Sequence, residues 1–257
     1  MIESETTPQQ KSYKVLLIGE SCRDIYHYGV CSRLCAEAPV PVFDYMAEET
    51  RPGMAANVLE NLLTYNLEVD FLTNDASQLI KRRFVDTKSN QLLLREDIGH
   101  TVQSVNIPDC KKYDAVVISD YCKGLIDIAQ VSELCRKFHG PVFVDSKNPN
   151  LRNFENAIIK INNDEESKML NLPEECELIV TMGKMGAKWK GNSYQTPQVD
   201  VFDVTGAGDV FLATLCYFYL HTRDLDKSIP KAVYLASKSV QHMGVYILSP
   251  DDLEEVL

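Results

Sequence analysis

DVTGAGD at residues 203–209 runs straight into VFLATLCYFYL at residues 210–220. Apart from Thr214 the second stretch is apolar throughout, so it reads as a helix buried on all sides. The first stretch forms its start. Gly206 and Gly208 allow close backbone approach, and the N–H groups of Gly206, Ala207 and Gly208 are expected as unpaired donors at a helix N-terminus. Asp209 falls in the first helical turn, beside those donors.

Outward from this segment, KVLLIG at 14–19, AVVIS at 115–119 and residues 141–145, 157–161 and 178–181 are short continuous apolar runs, and 40–47 and 67–73 read as further strands. Residues 54–65 place Ala55, Val58, Leu59, Leu62 and Leu63 on one helical face. Ile128, Val131, Leu134, Cys135 and Phe138 mark another helix, and about 206–221 and 228–243 give two long closing helices. Strands alternate with helices, and their apolar runs do not alternate internally. That combination predicts an α/β fold with a mostly parallel sheet covered on both faces. No repeat or linker divides it, so residues 14–257 are expected to form one domain after a flexible leader over 1–13. Open sheets of this kind bind ligands beyond the carboxyl ends of their strands. The residues there are Glu20, Asp24, Asp120, Asp145, Asn162, Asn163, Thr181 and Gly183.

With 257 residues, 45% hydrophobic and 25% charged, the chain can bury a real core, and disordered or fibrous readings are excluded. The longest apolar run is too short to span a bilayer. The polar start, MIESETTPQQ, is not a secretory signal, which points to the cytoplasm. A net charge of −11 opposes nonspecific binding to nucleic acid or anionic membrane, so a phosphorylated ligand must meet a locally positive pocket. Eight scattered cysteines show no metal spacing and are expected as reduced, structural thiols. The five histidines show no metal spacing either.

A helix N-terminus binds phosphate through aimed donors and the positive end of its dipole. A carboxylate beside it can accept the proton of a hydroxyl attacking a phosphoryl group. Asp209 with Gly206, Ala207 and Gly208 therefore reads as a phosphoryl-transfer centre. The competing reading is a glycine-rich cap whose aspartate only complements the dipole. GxxxxGK[ST] is absent, so this is not a Walker A loop.

DVTGAGD before a buried helix resembles the signature of the ribokinase-like, PfkB family of carbohydrate kinases. GESCRDIYHYG at 19–29, SRLCAEAPVPV at 32–42 and ETRPGMAANV at 49–58 resemble more particularly the kinase domain of bacterial heptose-7-phosphate kinases. NQLLLR at 90–95, SDYCKG at 119–124, VDSK at 144–147 and LSP at 248–250 continue the resemblance. It implies a ribokinase-like fold with a small β lid, formed by strands about 40–47 and 92–97, through which two copies pair as a homodimer. It also implies transfer from ATP with Mg2+ to a sugar or sugar phosphate. Asp209 matches the catalytic base and Gly206, Ala207 and Gly208 the anion hole. Asp24, Arg51, Gly53 and Asn57 match sugar-binding positions. Lys123, Arg51 and Lys147 are the cations expected nearest a second substrate phosphate. Asn163 and Glu166 match an N-x-x-E motif that places Mg2+, Glu166 acting through water. Thr181, Gly183 and Gly186 match the loop beside the nucleotide, and Asp203 and Thr205 positions near a monovalent cation such as K+.

The chain departs from that pattern. Met54 stands where relatives carry glycine, Val233 where they often carry Asn, and the segments after Asn74-Asp75 and at 169–176 are shortened. A fused nucleotidyltransferase domain is not expected after LSP. The expected activity is phosphorylation of a heptose 7-phosphate at its anomeric hydroxyl. The alternatives are a kinase for another sugar or sugar phosphate, and a catalytically weak binding protein that kept the fold.

Overall fold

Val15 and Leu17 project to one side of the first strand, β1 (Lys14–Gly19), Leu16 and Ile18 to the other, and all four are buried. Both faces of its sheet are covered, which is why KVLLIG is continuous rather than alternating. The computed structural model describes residues 12–256. Residues 1–11 of the expected leader lie outside the described residues. Tyr13, counted in that leader, is buried in the core, so the leader boundary moves back.

After β1 come β2 (Ser21–Leu34), β3 (Pro41–Met54), α1 (Ala55–Thr64), β4 (Glu68–Leu72), β5 (Ile80–Asp86) and β6 (Gln91–Ile98). The middle of the chain forms β7 (Ala115–Asp120), α2 (Ile128–Lys137), β8 (Val142–Ser146), β9 (Ile158–Asn162), α3 (Asn163–Lys168) and β10 (Glu177–Thr181). The last elements are β11 (Ala187–Trp189), β12 (Asn192–Tyr194), α4 (Ala207–Thr222), α5 (Leu225–Ser239) and α6 (Pro250–Glu254).

The main sheet has the order β12-β11-β10-β9-β8-β7-β1-β4, parallel from β4 to β10 and antiparallel at β11 and β12. On one face Val15, Leu17, Val117 and Phe143 join the core made with α1, α4 and α5; on the other, Leu16, Ile18, Val116 and Val144 pack with Val131 and Leu134 of α2. Lying between the sheet, α1 and α5, α4 is buried continuously from Asp209 to Phe218, as its all-round apolarity demands.

The second sheet, β3-β2-β5-β6, corrects several expectations. The stretch after Gly19, which carries no strand pattern in the sequence, is the long strand β2, and the strand expected at 40–47 continues to Met54. Between β4 and β5 lies a single 3-10 turn, Ala76–Gln78, held by the Asp75 carboxylate accepting the Ser77 amide at 2.8 Å. The last long helix starts at Leu225, where Asp224 accepts the Asp226 amide at 2.9 Å, and ends at Ser239. At the junction of β3 and α1, Met54 has φ 60° and ψ −133°, a conformation that strains any side chain.

Candidate active site

The carboxyl ends of the parallel strands, the start of α4 and the inner face of the lid sheet enclose a cavity of about 1310 Å3. Its floor is the Gly206–Asp209 segment, its lid side carries Lys81, Arg83 and Arg95, and its far end is lined by Thr181, Gly183, Gly186 and Val233. Residues matched to the nucleotide loop therefore lie together, on the same cavity as the expected base.

Gly206 caps α4 in the left-handed region, φ 81°, and a Cβ there would approach Asn57 Nδ2 to 2.8 Å; only glycine serves both demands. Among the described residues, the amides of Gly206 and Gly208 donate no hydrogen bond within the chain, whereas Ala207 N turns back to Val204 O at 3.3 Å. Two of the three expected donors are thus open to an anion. A Cβ at Gly208 would lie 2.7 Å from Lys160 Nζ, which sets that ammonium group over the helix start.

Asp209 is 5% exposed. Its Oδ2 accepts Asn57 Nδ2 at 2.9 Å and its Oδ1 accepts the Tyr121 hydroxyl at 3.0 Å. Burial pushes its pKa up to about 6, aided by the Asp145 charge; the Asn57 and Tyr121 hydrogen bonds and Lys160 pull the other way. The result is a carboxylate still ionised near neutrality but with a greater appetite for a proton than a surface aspartate. Burial and the Asp209 charge hold the Tyr121 phenol well above its usual range, so it stays a donor.

Behind the anion site lies a chain of charges. Lys160 Nζ donates to Asp145 Oδ2 at 2.6 Å, Lys147 Nζ to Asp145 Oδ1 at 3.4 Å, and Lys147 is also paired with Glu165. Burial would raise Asp145, but the two ammonium groups outweigh it and hold it below the ordinary carboxylate range. Here the N-x-x-E assignment shifts by one residue. Asn162, not Asn163, lines the cavity, and it caps α3 by accepting the Glu165 amide at 2.9 Å while Glu165 accepts the Asn162 amide at 2.8 Å. Glu166 pairs with Lys188 and lines a separate shallow depression. Of the two overlapping N-x-x-E pairs, only Asn162–Glu165 puts its asparagine on the cavity wall.

The sugar residues are brought together but stand behind the cavity wall. Asp24 is 2% exposed and paired with Arg83; Asn57 is fully buried against Asp209; Gly53 pairs in register with Cys22. Arg51 does not face the cavity. Its guanidinium donates to Glu49 at 2.7 Å, to Met243 O at 2.6 Å and to Val245 O at 3.1 Å. Lys123 is absent from the cavity wall as well; its backbone amide is held by the buried Glu20 carboxylate at 2.8 Å. The phosphate-reading roles expected of Arg51 and Lys123 are not supported by these positions. Asp203 accepts the Thr205 amide and hydroxyl at 2.9 and 2.8 Å on Oδ1 and the Gly244 amide at 2.9 Å on Oδ2, so it fastens the turn before α4.

Sequence reasoning missed Tyr121, Lys160, Lys81, Arg83 and Arg95. Tyr121 sat inside the quoted SDYCKG, and Lys160 is signalled by being a lone cation in the apolar run of β9.

Among the described residues no group of three or more His, Cys, Asp or Glu could hold a metal by itself. Mg2+ keeps most of its waters and takes its remaining ligands from one or two carboxylates and substrate phosphates. Glu165, beside Asn162, would meet such an ion only through water, since one of its oxygens is paired with Lys147 and the other accepts the Asn162 amide.

Open amides at a helix start, a buried carboxylate base and lysines facing one cleft make the equipment of phosphoryl transfer. Residues 54–252 match the family described as pfkB family carbohydrate kinase. The chain is 30% identical to the bifunctional protein HldE of Haemophilus influenzae over 304 residues, covering 96% of this chain and 64% of that protein. It thus spans less than two thirds of such relatives, and the match is longer than the chain itself because segments are shortened here. Among solved structures it resembles ribokinase from Thermotoga maritima (TM-score 0.71, 14% identity, 95% and 99% of the two chains). It also resembles phosphofructokinase-2 from Escherichia coli in complex with potassium (TM-score 0.70, 14% identity, 96% and 98%). The fold is ribokinase-like. The chain belongs to the pfkB family of carbohydrate kinases and is a sugar kinase.

Proposed function

We propose that this sugar kinase transfers the γ-phosphoryl group of ATP to the anomeric hydroxyl of a heptose 7-phosphate. The observation that carries the transfer chemistry is Asp209, buried, held by Asn57 and Tyr121, with a pKa of about 6, at the start of α4. Ionised at pH 7–8, it takes the hydroxyl proton as the sugar oxygen bonds to the γ-phosphorus and the bond to the ADP oxygen breaks. The amides of Gly206 and Gly208 and the Lys160 ammonium meet the charge on the transferring oxygens. Mg2+ would supply further counter-charge there, held through water by Asn162 and Glu165. Likeness to HldE over 96% of the chain supports the heptose phosphate.

Four further assignments belong to this reading. Thr181, Gly183 and Gly186 flank the nucleotide; a monovalent cation such as K+ sits near Asp203 and Thr205; the lid, with Tyr45, Met46, Leu92 and Leu94 exposed, pairs two copies; and the protein works in the cytoplasm, which suits eight unpaired cysteines. One observation favours another acceptor: Arg83 already occupies Asp24.

ADP release measured across sugars and sugar phosphates, with and without Mg2+, tests this. Heptose 7-phosphate is expected to give the highest kcat/KM, and excess chelator to abolish turnover. A higher value for another acceptor replaces the substrate, and no turnover with any acceptor removes the kinase mechanism.

A further inference from the structure

The inner face of the lid carries more positive charge than its partners balance. In β5, Lys81 and Arg83 alternate onto the face that lines the cavity, and Arg95 of β6, the register partner of Arg83, lines it as well. On the outer face of the same strands Arg82 finds its register partner Glu96 at 2.8 Å. The inner face does not balance in this way. Arg83 is matched by Asp24. Lys81 lies opposite Asp97 in register, but Asp97 is taken from the side by Arg95, which grips it through Nε at 2.8 Å and Nη2 at 2.9 Å. Deeper in the cavity, Lys147 and Lys160 share Asp145.

Lys81 is left with no carboxylate among the described residues. Its ammonium stands over the Tyr121 ring, 5.2 Å from the centroid, and the hydroxyl of that same ring is bonded to Asp209. A cation held on the face of a cavity by an aromatic ring, with its charge uncompensated in a chain of net charge −11, is a site for an anion.

We infer that Lys81 is the anchor of an anion subsite for a phosphate carried by the acceptor itself, one ring's width from the base that activates the acceptor's hydroxyl. The inference rests on the proposed kinase reaction and assigns the residues that hold the phosphate of its acceptor. Arg95 is the second donor, since its partner Asp97 is half-exposed and its ion pair contributes little. The transferred phosphate and the subsite phosphate are separate groups: the first is held over Gly206 and Gly208, the second across Tyr121.

The test compares each phosphorylated acceptor with its dephosphorylated counterpart in the full-length protein, as the ratio of their kcat/KM values. Lys81→Met is expected to lower that ratio about ten- to a hundredfold and Lys81→Arg to restore most of it, because a charge-assisted hydrogen bond is lost and regained. Inorganic phosphate is expected to compete with the acceptor in the wild type and to lose this effect in Lys81→Met. Arg82→Met, on the outer face, leaves the ratio unchanged. A ratio that Lys81→Met does not move overturns the subsite, even where heptose 7-phosphate proves to be the best acceptor. Where a different sugar phosphate proves best and Lys81→Met erases its advantage, the subsite stands and only the proposed sugar falls.

Discussion

Asp209 and Asp24 are both buried, 5% and 2% exposed, yet the two regions that hold them treat a carboxylate in opposite ways. At the sheet end, Asp209 is met by two neutral donors, the Asn57 amide and the Tyr121 hydroxyl, and its pKa rises to about 6. In the lid, Asp24 is met by a full charge, Arg83. Dipoles around a buried carboxylate leave it a use for a proton, whereas a matched ion pair fixes geometry. On the proposed reading the sheet end does the chemistry and the lid the recognition, and each can be broken separately.

Asp209→Asn makes the largest break. Removing the proton acceptor is expected to slow turnover about 10²- to 10⁴-fold. In the wild type, turnover should fall as pH drops below about 6, where Asp209 becomes protonated. Stability moves the other way. Asp209 binds its proton more tightly folded than unfolded, so its contribution to stability declines as pH rises from about 4 to about 6. The variant lacks that cost. It should be more stable than the wild type at pH 8, by at most about 3 kcal/mol, less whatever is lost where Tyr121 or Asn57 now faces an amide N–H, with the gain gone near pH 4. Melting curves at the two pH values decide it; a variant less stable at pH 8 would mean the carboxylate is not held under strain.

The next break belongs to the lid. Arg51→Ala removes charged donors to Met243 O and Val245 O, and about 1.5–3 kcal/mol of stability should go with them. This loss should be the same at pH 5 and pH 8, unlike that of Asp209→Asn, and should leave the preference for a phosphorylated acceptor intact. Urea midpoints at both pH values check the first claim; a lost phosphate preference would return Arg51 to the substrate site.

Tyr121→Phe should have the smallest effect. The ring under Lys81 stays and one hydrogen bond to Asp209 goes, so turnover should drop several-fold, the equivalent of about 1 kcal/mol. That bond lowers the pKa of Asp209, so the acid limb of the pH–rate profile should move upward. An unmoved limb would show that the hydroxyl does not touch the working carboxylate.

The same contrast separates what the sequence reveals from what it hides. β1, β7, β8, β9 and β10 are legible because both of their faces are buried and their apolar runs are continuous, Lys160 in β9 being the one interruption. β2 is not legible as a strand. Its inward positions include Asp24, which serves a site rather than a core, so SCRDIYHYGVCSRL lacks the alternation that marks a half-buried strand. β5, with IKRRFVD, hides for the same reason. In the site, the DVTGAGD heptad makes the neighbourhood of Asp209 and the two open amides legible, whereas the N-x-x-E spacing is ambiguous. Asn162 and Asn163 each have a glutamate three residues on, and only the phase of β9 separates them: Ile159 and Ile161 pack into one core, so Lys160 and Asn162 turn toward the cavity. Lys81 and Arg95 declared nothing locally, since their meaning comes from the pairing register of two strands.

Arg51 holds the carbonyls on either side of Gly244, and the Gly244 amide is itself held by Asp203, whose other oxygen fastens Thr205 next to the Gly206 cap. One corner of the second sheet is therefore pinned, through a short relay of hydrogen bonds, to the turn that starts α4. A plate pinned at one corner moves as a lever about that point. The opposite edge, along β6, where Arg95 sits, lies farthest from that point. Any closing stroke must bring Arg95 and its neighbour Lys81 farther than Asp24, while the fulcrum keeps the anion-binding turn of α4 in place.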